Sequence, residues 1–389
     1  MIRTHYVLLL GLVALLGSCR PDVQSEPSQT QEPGDSLWIY VGTYTQGASE
    51  GIYRLTMDAE TGALSEPVLV AKANNPSYLA IHPTGRFLYA VAEIGDHEGR
   101  ATGLLSAYKL ETNGTLTLLN EEETRGAHPC HVSLDSRGRY ALVANYSGGS
   151  VAVFPIADDG RLEPASGFAQ HEGASVDPRR QQAPHAHAIF FDTAEQRAYA
   201  ADLGLDKILI YAFDETTGTI QPQAHASVPP GGGPRHFTFH PTKPLAFTNN
   251  EMTSSVTGFE VDPSNGALQP IQTISTLPAD FAGSNSTAQI LASTDGRFLY
   301  VSNRGHDSIA MFAVNQEEGT LTAMGHQSTM GQTPRNFNID PRGRFLVAAN
   351  QQSDTLVVFR IHPETGRLND TGHRATIPSP VCVQFLASF

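Results

Sequence analysis

An internal repeat of about 50 residues constrains the fold of this chain more than any other feature. Each copy carries a turn, often with Gly-Arg, and then a short apolar strand that ends on a polar or bulky residue. Successive copies end 47 to 57 residues apart, a period typical of propellers and solenoids. The copies are HPTGRFLYAVAE (82–93), DSRGRYALVANY (135–146), DTAEQRAYAADL (192–203), HPTKPLAFTNNE (240–251), STDGRFLYVSNR (293–304), DPRGRFLVAANQ (340–351) and the shorter WIYVGTY (38–44).

Each full copy belongs to a unit with four short strands. A strand that usually begins with proline precedes the turn, as in HPCHVSLD (128–135), and a third strand such as GSVAVFPI (149–156) follows it. A Gly-x-Leu signature, as in Gly114-Thr115-Leu116, then opens a fourth strand. Four short strands with Gly and Asp turns are typical of a propeller blade. The sequence therefore predicts an all-β protein, a seven-bladed β-propeller with four-stranded blades.

The seventh blade is divided between the two ends of the chain. WIYVGTY (38–44) lacks a preceding proline-led strand, and SPVCVQFLASF (379–389) supplies one. Pairing of this C-terminal strand with the N-terminal blade closes the ring and removes the open edges of an unclosed array. Because a closed ring needs no second subunit for its stability, we predict a monomer.

The first 36 residues lie outside the predicted propeller. Arg3 and the apolar run 6–16, which is too short to span a bilayer, are typical of a signal peptide. LGSC (16–19) resembles the lipobox of bacterial lipoproteins, where the cysteine is lipidated, although an ordinary secretory signal with a chance cysteine is the alternative. The polar stretch after it is too poor in apolar residues to form a core. We predict a lipoprotein signal peptide at 1–18, a lipidated Cys19 with a disordered tether at 19–36, and the propeller at 37–389. The protein is then a lipid-anchored lipoprotein of the cell envelope, facing the periplasm or the surface.

The charge and the cysteines of the chain limit its partners. Lys and Arg number 25 against 39 Asp and Glu, a formal net charge of −14. This balance argues against nucleic acid as a partner, and against a membrane contact other than the lipid anchor. Cys130 and Cys382 lie far apart and form no CxxC motif, so they predict no metal or redox site, and no cofactor is expected.

Residues at equivalent places in the blades identify the predicted site. The first strand of each blade lines the central channel and starts near one mouth, where loops converge on a rigid ring. Alignment of these strands gives one common position: Tyr78, His131, His187, His236, Ala288, Asn336 and Cys382. The position before it holds Ser77, Cys130, Ala186, Arg235, Thr287, Arg335 and Val381.

A further column of residues lies where the second strands end. It holds Tyr44, Glu93, Tyr146, Leu203, Glu251, Arg304 and Gln351, and this mixture of side chains indicates the rim of a pocket. The column before it repeats asparagine at Asn145, Asn250, Asn303 and Asn350. Such repetition indicates a structural role, because asparagine side chains bond the backbone at turns.

The strand APHAHAIFFD (183–192) raises the question of a metal site. His185 and His187 are two residues apart and so point to the same face of a strand. Together with His131 and His236 from neighbouring blades they offer neutral imidazoles, three of which are able to hold zinc. No HxxxH spacing and no nearby carboxylate that would orient the rings accompanies them, so we predict no metal. For His185, a histidine satisfied in the core is the alternative to a substrate-binding role.

Residues 38–389 contain eight segments that are informative in combination: WIYVGTYT, GIYRLTMDAETGAL, NPSYLAIHPTGRFLYAVAE, GAHPCHVSLDSRGRYALVANYSGGSVAVF, PHAHAIFFD, GPRHFTFHP, NNE and SNRG. In combination they resemble the lactonase family of seven-bladed β-propellers, whose members include a bacterial 6-phosphogluconolactonase and a fungal carboxymuconate-lactonizing enzyme. The resemblance implies a His, a Glu and two Arg as site residues. The matching positions are His187, Glu251, Arg235 and Arg304.

The resemblance implies hydrolysis of a sugar lactone, similar to that of a 6-phosphogluconolactonase. We expect His187 and Glu251 to share the acid and base steps. Arg235 and Arg304 are expected to bind the anionic substrate or to polarise its carbonyl. No nucleophile elbow is visible in the sequence, which disfavours a covalent acyl-enzyme. Further substrate-binding residues are predicted at His131, His185, His236, Tyr146 and Arg335.

Two other functions make use of the same residues. A cycloisomerase that closes a muconate to a lactone also needs an anion clamp and a group that transfers protons. A non-catalytic propeller of the cell envelope would bind a glycan or a protein at the same mouth, because fold does not determine function. A scaffold has no need of two arginines, an acid and an imidazole that converge in a channel, and this favours an enzyme.

Overall fold

The computed structural model describes residues 1–2 and 36–387. The chain divides into two units, Met1–Glu32 and Pro33–Phe389, and the propeller lies in the second. The predicted signal peptide, Cys19 and the tether lie almost wholly outside the described residues. Within 36–387, the single element that is not a strand is a short 3-10 turn at Gln351–Ser353. The described part of the chain holds no helix with the length and apolar character needed to cross a membrane.

The strands of residues 36–387 form seven antiparallel sheets of four strands each. Blade 1 contains β1 (Ser36–Thr43), β2 (Gly51–Asp58), β3 (Val68–Lys72) and, as its innermost strand, the C-terminal β28 (Pro380–Ala387). Blade 2 contains β4 (Leu79–Ile81), β5 (Phe87–Ala92), β6 (Leu104–Leu110) and β7 (Leu116–Glu123). Blade 3 contains β8 (Pro129–Leu134), β9 (Tyr140–Asn145), β10 (Ser150–Pro155) and β11 (Gly167–Gln170).

The remaining four blades repeat the same order from the channel outwards. Blade 4 contains β12 (Ala186–Phe191), β13 (Arg197–Asp202), β14 (Lys207–Asp214) and β15 (Thr219–Ser227). Blade 5 contains β16 (Pro234–Phe239), β17 (Leu245–Asn250), β18 (Ser255–Val261) and β19 (Leu268–Ser275). Blade 6 contains β20 (Ser286–Ala292), β21 (Phe298–Arg304), β22 (Ser308–Val314) and β23 (Leu321–Ser328). Blade 7 contains β24 (Pro334–Ile339), β25 (Phe345–Asn350), β26 (Thr355–Ile361) and β27 (Leu368–Thr376).

The ring is closed by the C-terminal strand, as predicted. β28 pairs antiparallel with β1, with Leu37 opposite Ala387 at one end and Thr43 opposite Pro380 at the other. Each innermost strand contacts the innermost strands of the two neighbouring blades, and β28 contacts both β24 and β4. The all-β, seven-bladed architecture with four-stranded blades is therefore confirmed.

The burial of the strands explains why the second strand of each blade gives the clearest repeat. β5, β9 and β25 are buried at every position, because a second strand is covered on both faces by neighbouring blades. A strand covered on both faces has a continuous apolar sequence rather than an alternating one. The outermost strands, such as β15 and β27, are exposed at most positions and so carry a weak pattern.

A tyrosine near the middle of several second strands links neighbouring blades. Its hydroxyl donates over 2.8 to 3.0 Å to the carbonyl of the glycine in the Gly-x-Leu turn of the next blade. The pairs are Tyr40 with Gly114, Tyr89 with Gly160, Tyr199 with Gly266, and Tyr300 with Gly366. Gly266 has a φ of +74°, and a Cβ there would lie 2.4 Å from the Tyr199 hydroxyl oxygen. The glycine of the signature is therefore required both by the turn and by this contact.

The repeated asparagines also connect blades. The side-chain amides of Asn145, Asn303 and Asn350 donate over 2.8 to 3.0 Å to the carbonyls of Thr124, Thr276 and Thr329. Each threonine directly follows the outermost strand of the preceding blade. The structural role predicted for these three asparagines is confirmed, while Asn250 donates to the hydroxyls of Ser255 and Thr257.

Candidate active site

The candidate site lies at the mouth of the channel, where the innermost strands begin. At the starts of β8, β12, β16, β24 and β28 the pairing with the second strand shifts register, as at a β-bulge. A bulge re-aims the side chain of the extra residue. The residues displaced in this way include Cys130, His187, Arg235, Arg335 and Val381, and all five line one small cavity. The bulges thus bring residues of five blades to one space.

The strand registers correct the alignment of the proline-led strands. We predicted that His187 and His131 hold equivalent positions, and this was wrong. Ala188 holds the position of His131, since each is the first paired residue after its bulge. The reason is that β12 begins two residues after Pro184, whereas β8 and β16 begin at their own prolines. His187 therefore shares its position with Arg235, one residue nearer the mouth.

Three guanidinium groups converge on the carboxylate of Glu251. Nε of Arg235 and Nη2 of Arg304 donate to Oε2 over 3.0 and 2.9 Å, and Nη2 of Arg180 donates to Oε1 over 2.8 Å. Burial alone would raise the pKa of Glu251, but the charges of Arg304, Arg235 and Arg180 outweigh burial and lower this pKa to about 2. We call these four residues the Glu251 side of the site. The Glu251 carboxylate is ionised, and both of its oxygens accept hydrogen bonds from arginines.

Arg235 is the most enclosed cation of the Glu251 side, with 3% of its side chain exposed. Its Nη1 donates to the carbonyl of Ala288 over 2.6 Å. Burial, together with the positive charges of Arg304 and Arg335, lowers the pKa of Arg235 to about 9. A buried guanidinium that shares one carboxylate with other cations gains from any further anion that enters the cavity.

Residues of blades 1, 2 and 7 form the other wall, which we call the Glu93 side: Glu93, Tyr44 and Arg335. The Tyr44 hydroxyl donates to Oε2 of Glu93 over 2.8 Å and accepts from Nη2 of Arg335, also over 2.8 Å. The guanidinium of Arg335 lies 5.1 Å above the Tyr44 ring. Burial raises the pKa of Tyr44 above its ordinary value, so the phenol keeps its proton and donates to the carboxylate.

The two carboxylates differ in their access to the cavity. Glu93 lines the cavity, and no hydrogen bond from the described residues reaches its Oε1. Glu251 is not among the lining residues, whereas its partner Arg235 is, and 8% of the Glu251 side chain is exposed. An incoming molecule therefore meets Glu93 and the guanidinium groups before it meets Glu251.

His187 lines the cavity as a neutral imidazole. Its Nδ1 lies 3.6 Å from Sγ of Cys130, and its ring packs edge-on against Tyr146 at 5.3 Å. Burial, and then the charges of Arg235 and Arg335, hold the pKa of His187 well below its ordinary value. A neutral ring keeps one N–H that is able to donate a hydrogen bond.

The other predicted histidines lie at different depths. His236 lines the cavity, and its Nδ1 is hydrogen-bonded to Oε1 of Gln289. His131 lies behind it, with ring centroids 5.5 Å apart, and packs on Tyr78 at 4.4 Å. Burial, and then Arg235, lowers the pKa of His131 to about 3. His131 is therefore a packing residue beneath the cavity rather than part of its lining.

The rim of the cavity carries two further predicted residues. His185 stacks on Tyr146 with ring centroids 4.6 Å apart, and its Nδ1 lies 3.1 Å from the carbonyl of Tyr146. The Tyr146 hydroxyl in turn accepts from Nη2 of Arg180 over 3.1 Å. Tyr146 thus supports Arg180, and His185 supports Tyr146.

Arg180 is a site residue that the sequence analysis missed. It lies in the loop 171–185 between β11 and β12, outside the repeat, so no column of aligned residues indicates it. Asp177 accepts the backbone N–H of Arg180 over 2.9 Å, and the Gln181 amide donates to the buried Asp206 over 2.7 Å. Asp206 also accepts the N–H of Gly233, which precedes β16 and Arg235. The loop and the start of β16 are thus held by one carboxylate.

Tyr44, Glu93 and Cys130 were also left out of the predicted site. All three stood in the aligned columns, and their positions next to the chosen residues were the signal that could have identified them. Within residues 36–387, no group of three or more His, Cys, Asp or Glu is arranged to hold a metal ion. The charged and imidazole groups that line the cavity are Arg235, Arg335, Glu93, His187 and His236.

Comparison with known proteins agrees with this architecture. A family model described as “Lactonase, 7-bladed beta-propeller” matches residues 38–385. The 6-phosphogluconolactonase of Bacillus subtilis is 42% identical over 348 residues, which cover 89% of this chain and 97% of the relative. A 6-phosphogluconolactonase of Formosa agariphila is 32% identical over 310 residues, covering 78% of this chain and 86% of the relative.

A solved structure shows the same likeness in three dimensions. The periplasmic gluconolactonase PpgL of Pseudomonas aeruginosa superposes with a TM-score of 0.85 and 36% identity, covering 91% of this chain and all of that one. The match to the family model extends over nearly the whole propeller. This chain therefore belongs to the lactonase family of seven-bladed β-propellers.

Proposed function

We propose that this protein hydrolyses a sugar lactone that carries a negative charge, in the manner of a 6-phosphogluconolactonase. One observation carries the proposal: the charged groups around the cavity are Arg180, Arg235, Arg304, Arg335, Glu93 and Glu251. Four guanidinium groups against two carboxylates leave an excess of positive charge in a chain whose net charge is −14. Without Arg180, which is 45% exposed, three guanidinium groups still face two carboxylates, and such an excess is unfavourable until an anion enters, which favours a substrate with a phosphate or carboxylate.

The names of the relatives support the same reaction class. Two relatives are named 6-phosphogluconolactonase and a structural neighbour is named gluconolactonase. Hydrolysis needs a water that attacks the lactone carbonyl, donors for the oxyanion and a proton for the ring oxygen that leaves. Arg235, Arg304 and Arg335 supply donors for the anion and the oxyanion.

We assign His187 the proton-transfer role that the sequence predicted. As a neutral imidazole it is able to donate its N–H to the ring oxygen as the C–O bond breaks, much as a neutral histidine polarises a carbonyl. The negative charge of a bound substrate would also offset Arg235 and Arg335, which hold the pKa of His187 down. The proton-transfer role predicted for Glu251 has no support in its contacts. Bound by three guanidinium groups, Glu251 is better suited to place the arginines.

We propose that the enzyme works outside the cytoplasm. The predicted signal peptide at 1–18 favours export, and the neighbour from P. aeruginosa is described as periplasmic. Lipid attachment at Cys19 stays a prediction, because residue 19 lies outside the described part of the chain. A location in the cell envelope makes an unphosphorylated sugar lactone the main competitor of a sugar phosphate as substrate.

The proposal is tested by pH-stat hydrolysis with the purified full chain. The substrates are 6-phosphogluconolactone, gluconolactone and a carboxylated muconolactone, each corrected for spontaneous hydrolysis. We expect turnover that is highest on a charged lactone, lost in Arg235→Ala and kept in Arg367→Ala, a control at an exposed arginine. No turnover of any lactone by the folded protein would favour a cycloisomerase or a binding propeller instead.

A further inference from the structure

The site contains two carboxylates, and only one is free to accept a proton from water. Both oxygens of Glu251 accept charged hydrogen bonds from arginines. Glu93 accepts one hydrogen bond from a phenol at Oε2, while its Oε1 is free of hydrogen bonds from the described residues. Two carboxyl groups of one site that lie in contrasting environments commonly have separate roles in acid–base catalysis.

We propose that Glu93 is the general base that activates the attacking water, and that Tyr44 is the positioning residue that orients it. This assignment rests on the proposed lactone hydrolysis. Glu93 lines the cavity together with His187, Arg235 and Arg335, so a water bound at its Oε1 would lie next to the groups assigned to the lactone. The hydrogen bond from Tyr44 leaves Oε1 as the free oxygen.

The proposed step conserves atoms and charge. The water oxygen bonds to the lactone carbonyl carbon, one water proton passes to Oε1 of Glu93, and the carbonyl electron pair moves to the carbonyl oxygen near the arginines. Collapse of this intermediate re-forms the carbonyl and breaks the ring C–O bond. The leaving oxygen takes a proton from His187, which regains one from Glu93 directly or through water. The product is a hydroxy acid.

The other titratable groups that line the cavity are poor bases. Burial raises the pKa of Cys130 and of Tyr44 far above neutrality, so both stay protonated and neutral. His187 is disfavoured as a cation by burial and by the nearby arginines. The groups that face Glu93 are Tyr44 from the end of β1, Cys130 from β8 and Arg335 from β24. Only Arg335 among them is charged, and its guanidinium bonds Tyr44 rather than Glu93.

The test is the pH dependence of kcat for the full chain on its best lactone, in the wild type, Glu93→Gln and Tyr44→Phe. Glu364→Gln, at an exposed glutamate in the β26–β27 turn, is the matched control. We expect Glu93→Gln to lower kcat by about a hundredfold or more with KM changed less than about threefold. Its residual rate should rise about tenfold per pH unit, because hydroxide replaces the missing base. Tyr44→Phe should lower kcat by about tenfold and shift the acid limb of the profile.

The outcomes separate the two proposals. An active wild type with kcat unchanged in Glu93→Gln would overturn Glu93 as the base while the lactonase proposal stands. A wild type without activity on any lactone would overturn both. Because Gln is isosteric with Glu and still accepts from Tyr44, thermal unfolding of Glu93→Gln should match that of the control, and loss of the fold can be excluded as the cause.

Discussion

Glu93 and Glu251 hold equivalent positions, at the ends of the second strands of blades 2 and 5, yet their surroundings differ. On the Glu251 side three guanidinium groups occupy both carboxylate oxygens. On the Glu93 side a single phenol occupies one oxygen. The comparison shows that position in the repeat brings a carboxylate to the mouth of the channel, and that the neighbouring blades decide its chemistry.

The neighbours that make the difference are visible in the sequence. Beside Glu251, the first strand of the same blade contributes Arg235 and the next blade contributes Arg304. The equivalent residues beside Glu93 are Ser77 and Tyr146, which carry no positive charge. Arg335, the cation of the Glu93 side, bonds Tyr44 rather than Glu93. Glu93 therefore accepts no hydrogen bond from an arginine, and its Oε1 is left without a hydrogen bond from the described residues.

Removal of Arg235 is expected to have the largest effect, because this residue serves both the anion and Glu251. We expect Arg235→Ala to lower kcat/KM by about a thousandfold or more, since loss of one partner of a buried charge pair is worth about 3–5 kcal/mol. Steady-state kinetics measure this effect. Arg235→Lys should recover little of it because Lys lacks the planar fork. Full activity in Arg235→Lys would show that charge alone matters and would weaken the assigned geometry.

The low pKa of Glu251 makes the stability of the folded protein depend on pH in acid. Its pKa of about 2 in the folded state lies below the ordinary value of 4.5, so its ionised form stabilises the folded state above about pH 4.5. This contribution is lost as the pH falls towards 2, and it is on the order of 3 kcal/mol. Between pH 5 and 2 the wild type should therefore lose more unfolding free energy than Glu251→Gln does. Denaturant unfolding at each pH measures this difference, and equal losses in the two proteins would contradict the assigned interaction of Glu251 with its three arginines.

Glu251→Gln is expected to affect binding more than chemistry. A neutral amide no longer holds the guanidinium groups in place, so we predict a KM raised about tenfold with kcat changed less than about threefold. Saturation kinetics on the best lactone measure both constants. A kcat that falls as far as in Glu93→Gln would return Glu251 to the proton-transfer role.

Arg180→Ala is expected to have the smallest effect. The Arg180 side chain is 45% exposed, and ion pairs with an exposed partner contribute about 1 kcal/mol or less. We therefore expect KM to rise about threefold, and this increase should disappear at high salt, where exposed charges are screened. A loss of activity as large as that of Arg235→Ala would show that loop 171–185 closes over the substrate.

The fold was predictable because its signal is repeated. Second strands such as β5 and β25 are buried on both faces, and the continuous apolar sequence that this requires occurs once in each blade. The missing strand of blade 1 pointed directly to the C-terminus. Such redundancy allows a fold to be inferred even when individual strands are ambiguous.

The site was predictable only in part. His187, Arg235, Glu251 and Arg304 were identified from their columns, but the position assigned to His187 was wrong because β12 begins two residues after Pro184 and not at the proline. The Glu251 side also includes Arg180, from a loop that has no counterpart in the repeat. Aligned positions of the repeat identify which residues lie at the mouth of the channel. Which of these residues contact one another, and which loops join them, depends on the folded geometry.

The most direct test of this account measures kcat and KM of Glu93→Gln and Glu251→Gln side by side on one lactone, with the full chain. The account predicts a split: a kcat about a hundredfold lower with little change in KM for Glu93→Gln, and mainly a raised KM for Glu251→Gln. The reverse pattern, with kcat lost in Glu251→Gln and kept in Glu93→Gln, would contradict it.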